Sequence, residues 1–113
     1  MAPWLLQDDD LPARSVRAAK VTLRTDDVGP PETSSIQLAT IAGAHVGVWS
    51  IEEGEVRDVE AEEVAVVLSG SATIEIEGIT PLEVGPGDVL SFEEGVATRW
   101  IIHERLTKVY VTP

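Results

Sequence analysis

The sequence predicts an all-β domain built as an antiparallel barrel or jelly roll, and three observations support this prediction. Apolar residues recur with a period of two from residue 36 onward, as at Ala72, Ile74 and Ile76. Glycine or proline closes these segments about every 6 to 12 residues. No segment carries a long helical period. Many short strands favour closing the sheet, because closure removes most of its exposed edges.

Residues 1–35 are the least regular part of the chain. We interpret them as an N-terminal arm with one edge strand over residues 21–25. Pro30 and Pro31 interrupt the chain here, since consecutive prolines suit neither a helix nor a central strand. Residues 36–113 are predicted to form the barrel, and the whole chain is predicted to be a single domain.

About nine short strands are predicted. Residues 64–68 are apolar at nearly every position, which is typical of a strand covered on both faces. The turn at residues 85–88 is rich in glycine and suits positive φ angles. The predicted strands occupy residues 21–25, 36–41, 45–51, 64–68, 71–77, 79–84, 89–92, 96–103 and 106–111. The predicted core consists of Val64, Val66, Leu68, Ile74, Ile76, Leu82, Leu90, Phe92, Ile101 and Val109.

The composition excludes several classes of protein. The formal net charge is −12, from 20 acidic and 8 basic residues, and nucleic-acid binding needs clustered Lys and Arg instead. No apolar run approaches the roughly 20 residues that span a bilayer. The N-terminal segment lacks the basic region of a secretory signal. There is no cysteine for a disulfide or a thiolate site. We therefore expect a cytoplasmic protein without nucleic-acid or membrane partners.

An acidic run lies between Glu52 and Glu63, where seven acidic residues are accompanied by one arginine. We interpret it as a solvated loop and strand edge that keeps the protein soluble, with weak binding of a hard cation such as calcium as the alternative. Adjacent strand positions alternate faces, so Asp58, Glu60 and Glu62 are not expected to turn inward together with Glu63.

The segment from Gly47 to Tyr110 resembles the small single-domain cupins related to the ureidoglycine aminohydrolase cupin domain. The residues that carry this resemblance are Gly47, Val48, Trp49, Gly54, Glu63, Leu68, Gly70, Gly87, Asp88, Gly95, Arg99, Trp100, Lys108 and Tyr110. The resemblance implies a cupin jelly-roll barrel, frequently dimeric, with a pocket lined by side chains from two motifs.

Metal-binding cupins supply two histidines and a glutamate from the first motif and a third histidine from the second. Glu63 lies seven residues before Gly70 and takes the glutamate position. The histidine positions hold other residues, namely Arg57 and Val59 (or, with a longer spacing, Val56 and Asp58) and Thr98. Neither His45 nor His103 falls at these positions. We expect no metal and no cofactor in the barrel, because transition-metal sites need several imidazole or carboxylate ligands.

The interior is instead predicted to bring Arg57, Glu63, Thr98 and Trp100 together, with Trp49 and Tyr110 as further lining residues. An Arg57–Glu63 pair beside an indole and a hydroxyl would hold a small polar ligand by one charged contact and one stacking face. The alternative is structural: the ion pair would fix the barrel and both tryptophans would belong to the core.

Three functions remain open from the sequence. The chain is a metal-free cupin that binds a small organic ligand, a cupin enzyme with Glu63 as acid or base acting on a small carboxylate or ureide-like substrate, or a dimeric structural or regulatory module without a ligand. A homodimer is expected, because Trp4, Leu5 and Leu6 and the unpaired strand edges favour a partner surface.

Overall fold

The computed structural model describes residues 22–27 and 29–113, and the regular structure in these residues is entirely β-strand. None of these residues forms a helix able to cross a membrane. Of the predicted arm and edge strand over residues 1–35, residues 1–21, which include Trp4, Leu5 and Leu6, and residue 28 lie outside the described residues. The eight described strands are β1 (Arg24–Thr25), β2 (Thr33–Ile41), β3 (Ala44–Ile51), β4 (Gly54–Val59), β5 (Glu63–Glu75), β6 (Leu82–Val84), β7 (Val89–Phe92) and β8 (Ala97–Thr112).

All strand pairs are antiparallel, and the long strand β8 is at the centre of the sheet. Neighbouring strands follow the order β1-β2-β3-β8-β5-β6, while β4 also pairs with β8 and β7 with β5. The first half of β8 pairs with β4 over residues 97–102, and its second half pairs with β3 over residues 106–112. Strands β5 and β8 therefore pass together from one sheet of an antiparallel jelly roll into the other, and the predicted fold class is confirmed.

The passage between the sheets is made by bends inside β5 and β8. The register of their pairing shifts three times between Val67 and Ala72. Gly70 lies in this stretch with φ +89°, and a β-carbon there would collide with the carbonyl oxygen of Arg105. Only glycine suits both the left-handed backbone and this close approach. The sequence predicted strand ends near residues 69–70 and 104–105, but both places are bends within continuous strands.

The core lies between the two sheets, and its buried residues are Ile51, Val67, Ala72, Ile74, Val84, Leu90, Phe92, Trp100, Ile102 and Leu106. The prediction is confirmed for Ile74, Leu90 and Phe92, and Ile76 packs against the cluster while partly buried. It is wrong for four exposed residues, which are Val64, Val66, Leu68 and Leu82. Ile101 and Val109 are half-buried and are not among the core residues. Residues 64–68 are apolar on both faces, so periodicity identifies a strand there but leaves its inner face undetermined. The inner face carries Ala65 and Val67.

The edge strand β1 pairs with β2, with Arg24 opposite Ser35 and Thr25 opposite Ser34. Thr33 and Ser35 each donate a hydrogen bond of 3.0 Å from the side-chain hydroxyl to the carboxylate of Asp26. The predicted boundary between arm and barrel at residue 36 falls inside β2. The segment from Gly29 to Ser35 thereby becomes one wall of an internal cavity.

Candidate ligand-binding cavity

A cavity of about 430 Å³ opens among strands β2, β3, β4, the start of β5 and both halves of β8. Its volume lies in the range of small-molecule sites, which is about 300 to 1,000 Å³. The residues that line it are Gly29, Pro30, Pro31, Thr33, Ser35, Trp49, Ile51, Val56, Asp58, Glu60, Glu63, Trp100, Lys108, Tyr110 and Thr112.

Glu60 is a carboxylate buried in the wall of this cavity, with 7% of its surface exposed. It follows β4 directly, and its backbone amide donates to the carbonyl of Val96 over 2.8 Å. One side-chain oxygen, Oε2, accepts hydrogen bonds from Thr98 Oγ1 (2.6 Å) and Trp100 Nε1 (3.1 Å). The other oxygen, Oε1, has no hydrogen-bond partner among the described residues. Two hydrogen bonds thus orient the Glu60 carboxylate, and as far as the described residues go its Oε1 is available to a ligand.

Lys108 and Glu63 form a second buried charged group in the same cavity. The Lys108 ammonium donates to Glu63 Oε2 over 2.6 Å, and the side chains are 8% and 12% exposed. The same ammonium lies 4.9 Å from the ring centre of Trp49 and 5.3 Å from that of Trp100. The two indoles meet edge to face, with centres 6.5 Å apart. One cation is therefore held by a carboxylate and two aromatic rings.

Tyr110 lines the cavity beside this group and lies against the backbone of β3. A β-carbon at Gly47 would collide with the Tyr110 hydroxyl, so the absence of a side chain there makes room for the phenol. Burial raises the pKa of Tyr110 above its ordinary value, and the negative charges of Glu63 and Asp26 raise it further. The phenol therefore stays neutral as a hydrogen-bonding group.

The structure brings most of the predicted site residues together. Glu63, Trp49, Trp100 and Tyr110 line the cavity. Thr98 lies behind it as a buried donor to Glu60. Four of the six predicted residues thus face one space, and a fifth supports its wall.

Arg57 is the predicted site residue that the structure places elsewhere. It is exposed on the outer face of β4, near Arg99 and Glu75. The predicted Arg57–Glu63 pair does not form, because Val56 and Asp58 occupy the inward positions of β4 and Lys108 pairs with Glu63. On that outer face the Arg99 guanidinium donates to Glu55 and lowers the pKa of its carboxyl.

Sequence reasoning missed three charged lining residues, which are Asp58, Glu60 and Lys108. The alternation along β4 extends through Val56, Asp58 and Glu60, and the chain then bends before Glu63. This bend allows three carboxylates to face one cavity, whereas Glu62 does not line it. Alternation back from Tyr110 would have identified Lys108, since residues two apart on a strand share a face.

The residues at the family's metal-ligand positions do not fit a transition metal. Since Val56 and Asp58 face the cavity, the longer motif spacing applies, and one histidine position is apolar. Glu63 Oε2 accepts from Lys108, and Thr98 donates to Glu60. Within residues 22–27 and 29–113, no group of three His, Cys, Asp or Glu side chains has an arrangement that holds a metal ion.

Comparison with models of known protein families identifies the family of this chain. The model of the EutQ-like cupin domain matches residues 41–110. The chain belongs to the EutQ-like cupin family. The predicted membership of the cupin superfamily is confirmed, and the closer resemblance to the ureidoglycine aminohydrolase group stays a prediction. None of the curated proteins matches this cupin in sequence.

Solved structures agree with this cupin assignment. The EutQ protein of Clostridium difficile superposes with a TM-score of 0.68 at 19% identity, covering 81% of this chain and 79% of that chain. A putative ethanolamine utilization protein from Salmonella typhimurium gives 0.60 at 18% identity, with coverages of 70% and 67%. A protein of unknown function from Acidithiobacillus ferrooxidans gives 0.66 at 20% identity, with coverages of 80% and 89%. At these identities the likeness shows the shared fold.

Proposed function

We propose that this cupin is a metal-free barrel that binds a small organic molecule in the cavity bounded by Glu60, Glu63 and Lys108. The observation that carries the proposal is the buried Glu60 carboxylate, which lines a cavity of about 430 Å³ and whose Oε1 makes no hydrogen bond to a described residue. A barrel filled by its own side chains would not leave this volume, which counts against the purely structural alternative. A cytoplasmic location is part of the proposal, supported by the absence of cysteine.

The enzyme alternative is less well supported at Glu63. Its Oε2 is engaged by Lys108 over 2.6 Å, and such a charge-assisted contact holds the carboxylate ionised and in place. Glu60 is the better candidate for proton transfer because it lines the cavity and its Oε1 makes no hydrogen bond to a described residue. Binding is therefore proposed first, with catalysis by a carboxylate as the alternative.

Ligand binding can be tested with a library of small polar molecules, followed by thermal shift and tryptophan fluorescence. A ligand at about 100 times its Kd should stabilise the fold by about 2.7 kcal/mol. Trp49 and Trp100 line the cavity, so a bound molecule should also change the emission spectrum.

Two matched variants on opposite faces of β4 locate the site. Val56→Phe fills part of the cavity with a phenyl ring and should abolish both the thermal shift and the fluorescence change. Val59→Phe changes an exposed residue and should leave both intact. If no member of a broad library binds the unmodified protein, the binding proposal is wrong. Equal losses in both variants would also contradict the proposed location.

We also propose a homodimer formed through an apolar patch on the outer face of β5, β7 and β8. Val64 lies opposite Val111, and Val66 lies opposite both Val109 and Val89. Val64, Val66, Val89 and Val111 are exposed, and contiguous exposed apolar surface on a sheet favours a partner surface.

The dimer proposal is tested by sedimentation at micromolar concentration. Val66→Glu should convert a dimer into a monomer, because it would bury an unpaired charge in the interface. Ile79→Glu changes an exposed apolar residue outside the patch and should leave the mass unchanged. A monomer mass for the unmodified protein would contradict the proposal.

A further inference from the structure

The charged residues that line the cavity are predominantly acidic. Asp58, Glu60 and Glu63 contribute three carboxylates, and Lys108 contributes one ammonium, which makes a formal charge of −2 among the described lining residues. Asp26 adds a further carboxylate one layer behind Thr33 and Ser35. The interior is thus electrostatically unfavourable for an anion.

The positive charge of Lys108 is already engaged. Its ammonium is bonded to Glu63 and lies over Trp49 and Trp100, and the residue is 6% exposed. An anionic ligand that approached this ammonium would compete with Glu63 for its charge and would also meet the carboxylates of Asp58 and Glu60, which is unfavourable. No other Lys or Arg lines the cavity within the described part of the chain.

The acceptors that remain belong to Glu60 and Asp58. Glu60 is more than nine-tenths buried, lines the cavity, and makes no hydrogen bond through Oε1 to a described residue. Asp58 accepts one hydrogen bond, from the amide of Val59 to its Oδ1. Its Oδ2 has no partner among the described residues. Glu60 and Asp58 lie two positions apart at the end of β4 and share the inward direction.

Lys108 itself demonstrates how this interior accommodates a cation. Its ammonium is stabilised by one carboxylate and by the faces of two indoles at 4.9 and 5.3 Å. The combination of carboxylates and aromatic rings is the chemistry by which proteins bind organic cations. A ligand cation beside Glu60 would meet a second carboxylate, that of Asp58.

From these observations we infer that the ligand is a small organic cation whose N–H groups donate to Glu60 Oε1 and to Asp58. This inference rests on the proposed function and deepens it by assigning the chemical class of the ligand. It disfavours the carboxylate substrate that the sequence left open.

Three probes of similar size and planar shape separate the charge classes: methylguanidinium, N-methylurea and acetate. Binding is measured by calorimetry and by fluorescence at low salt. Methylguanidinium should bind at least about tenfold more tightly than N-methylurea, and acetate should not bind. Added salt should weaken the binding of methylguanidinium. Propylammonium and propionate serve as a second pair that differs in the sign of the charge.

Glu60→Gln and Glu77→Gln each remove one negative charge, so general attraction to an acidic protein changes equally in both. Glu60→Gln should weaken the binding of methylguanidinium by about tenfold or more. It removes the negative charge from the contact, while the amide oxygen still accepts hydrogen bonds from Thr98 and Trp100. Glu77 is exposed outside the cavity, and its variant should bind as the unmodified protein does. Asp58→Asn provides a second test at an exposed residue.

The outcomes distinguish this inference from the proposal beneath it. Equal or tighter binding of the urea or acetate, or no binding by either cation up to about 20 mM, overturns the cation inference. The proposed function then stands if the broad library yields a ligand lost in Val56→Phe, and it fails with the inference if the library yields none. Equal effects of Glu60→Gln and Glu77→Gln would overturn the assignment to Glu60.

Discussion

The interior of this cupin has two sides with different chemistry, and β8 contributes to both. Toward β5, β6 and β7 it is a close-packed apolar cluster that includes Ile74, Ile102 and Leu106. Toward β2, β3 and β4 it is a cavity lined by the charged groups of Glu60, Glu63 and Lys108, of which Glu60 and Lys108 are buried. The apolar side gains stability by removing surface from water, whereas the polar side maintains an open volume by pairing its charges. The difference separates the part that holds the fold from the part available for function.

The largest expected effect comes from the apolar side. Leu106 is fully buried, so Leu106→Ala should lower the free energy of unfolding by about 4 kcal/mol through lost contacts and a residual cavity. Val59→Ala removes an exposed side chain and should cost less than about 0.5 kcal/mol. Urea denaturation of both variants measures the contrast. Similar losses would mean that Leu106 is not part of a close-packed core.

The charged side should respond to the loss of a partner rather than to the loss of volume. Lys108→Met keeps the length of the side chain but leaves Glu63 buried without its cation, and it should cost about 3 kcal/mol. Adding Glu63→Leu removes the unpaired charge, so the double variant should regain at least about 1 kcal/mol. Denaturant unfolding of the two single variants and the double variant gives the interaction free energy between Lys108 and Glu63. Additive losses would contradict the buried pair.

The smallest expected effect is a shift in titration at the rim of the cavity. Tyr110 is the single tyrosine of the chain, so absorbance at high pH reports its pKa directly. Burial and two nearby carboxylates disfavour the phenolate, so ionisation should occur above the ordinary tyrosine range. Asp26→Asn removes one of these charges and should move the transition to lower pH.

Asp27→Asn is the matched control for that titration. Its carboxylate is exposed and is not among the charges that raise the pKa of Tyr110. Equal shifts in the two variants would show that net charge, and not the placement of Asp26, sets the phenol titration.

The sequence predicted the fold class and the glutamate of the first motif, because period-two alternation and glycine spacing are local signals. It misjudged the inner face of residues 64–68, since alternation of apolar and polar residues cannot identify the buried face of a strand that is apolar on both faces. It also assigned Arg57 to the interior, because two motif spacings differ by one residue and a one-residue change reverses every side chain. Glu60 and Glu63 share the cavity through a bend between strands, which alternation alone does not predict.

Strand β8 has a consequence for how this protein is made. In the described pairings, β1–β3, β4 and β5–β7 are connected to one another only through residues 97–112. Hairpins between neighbouring segments can form first, but the two sheets are not joined until β8 is in place. Pairing such distant segments is slow, because long loops must close before their contacts form. The interior of this domain therefore stays exposed until the last of the described strands has paired.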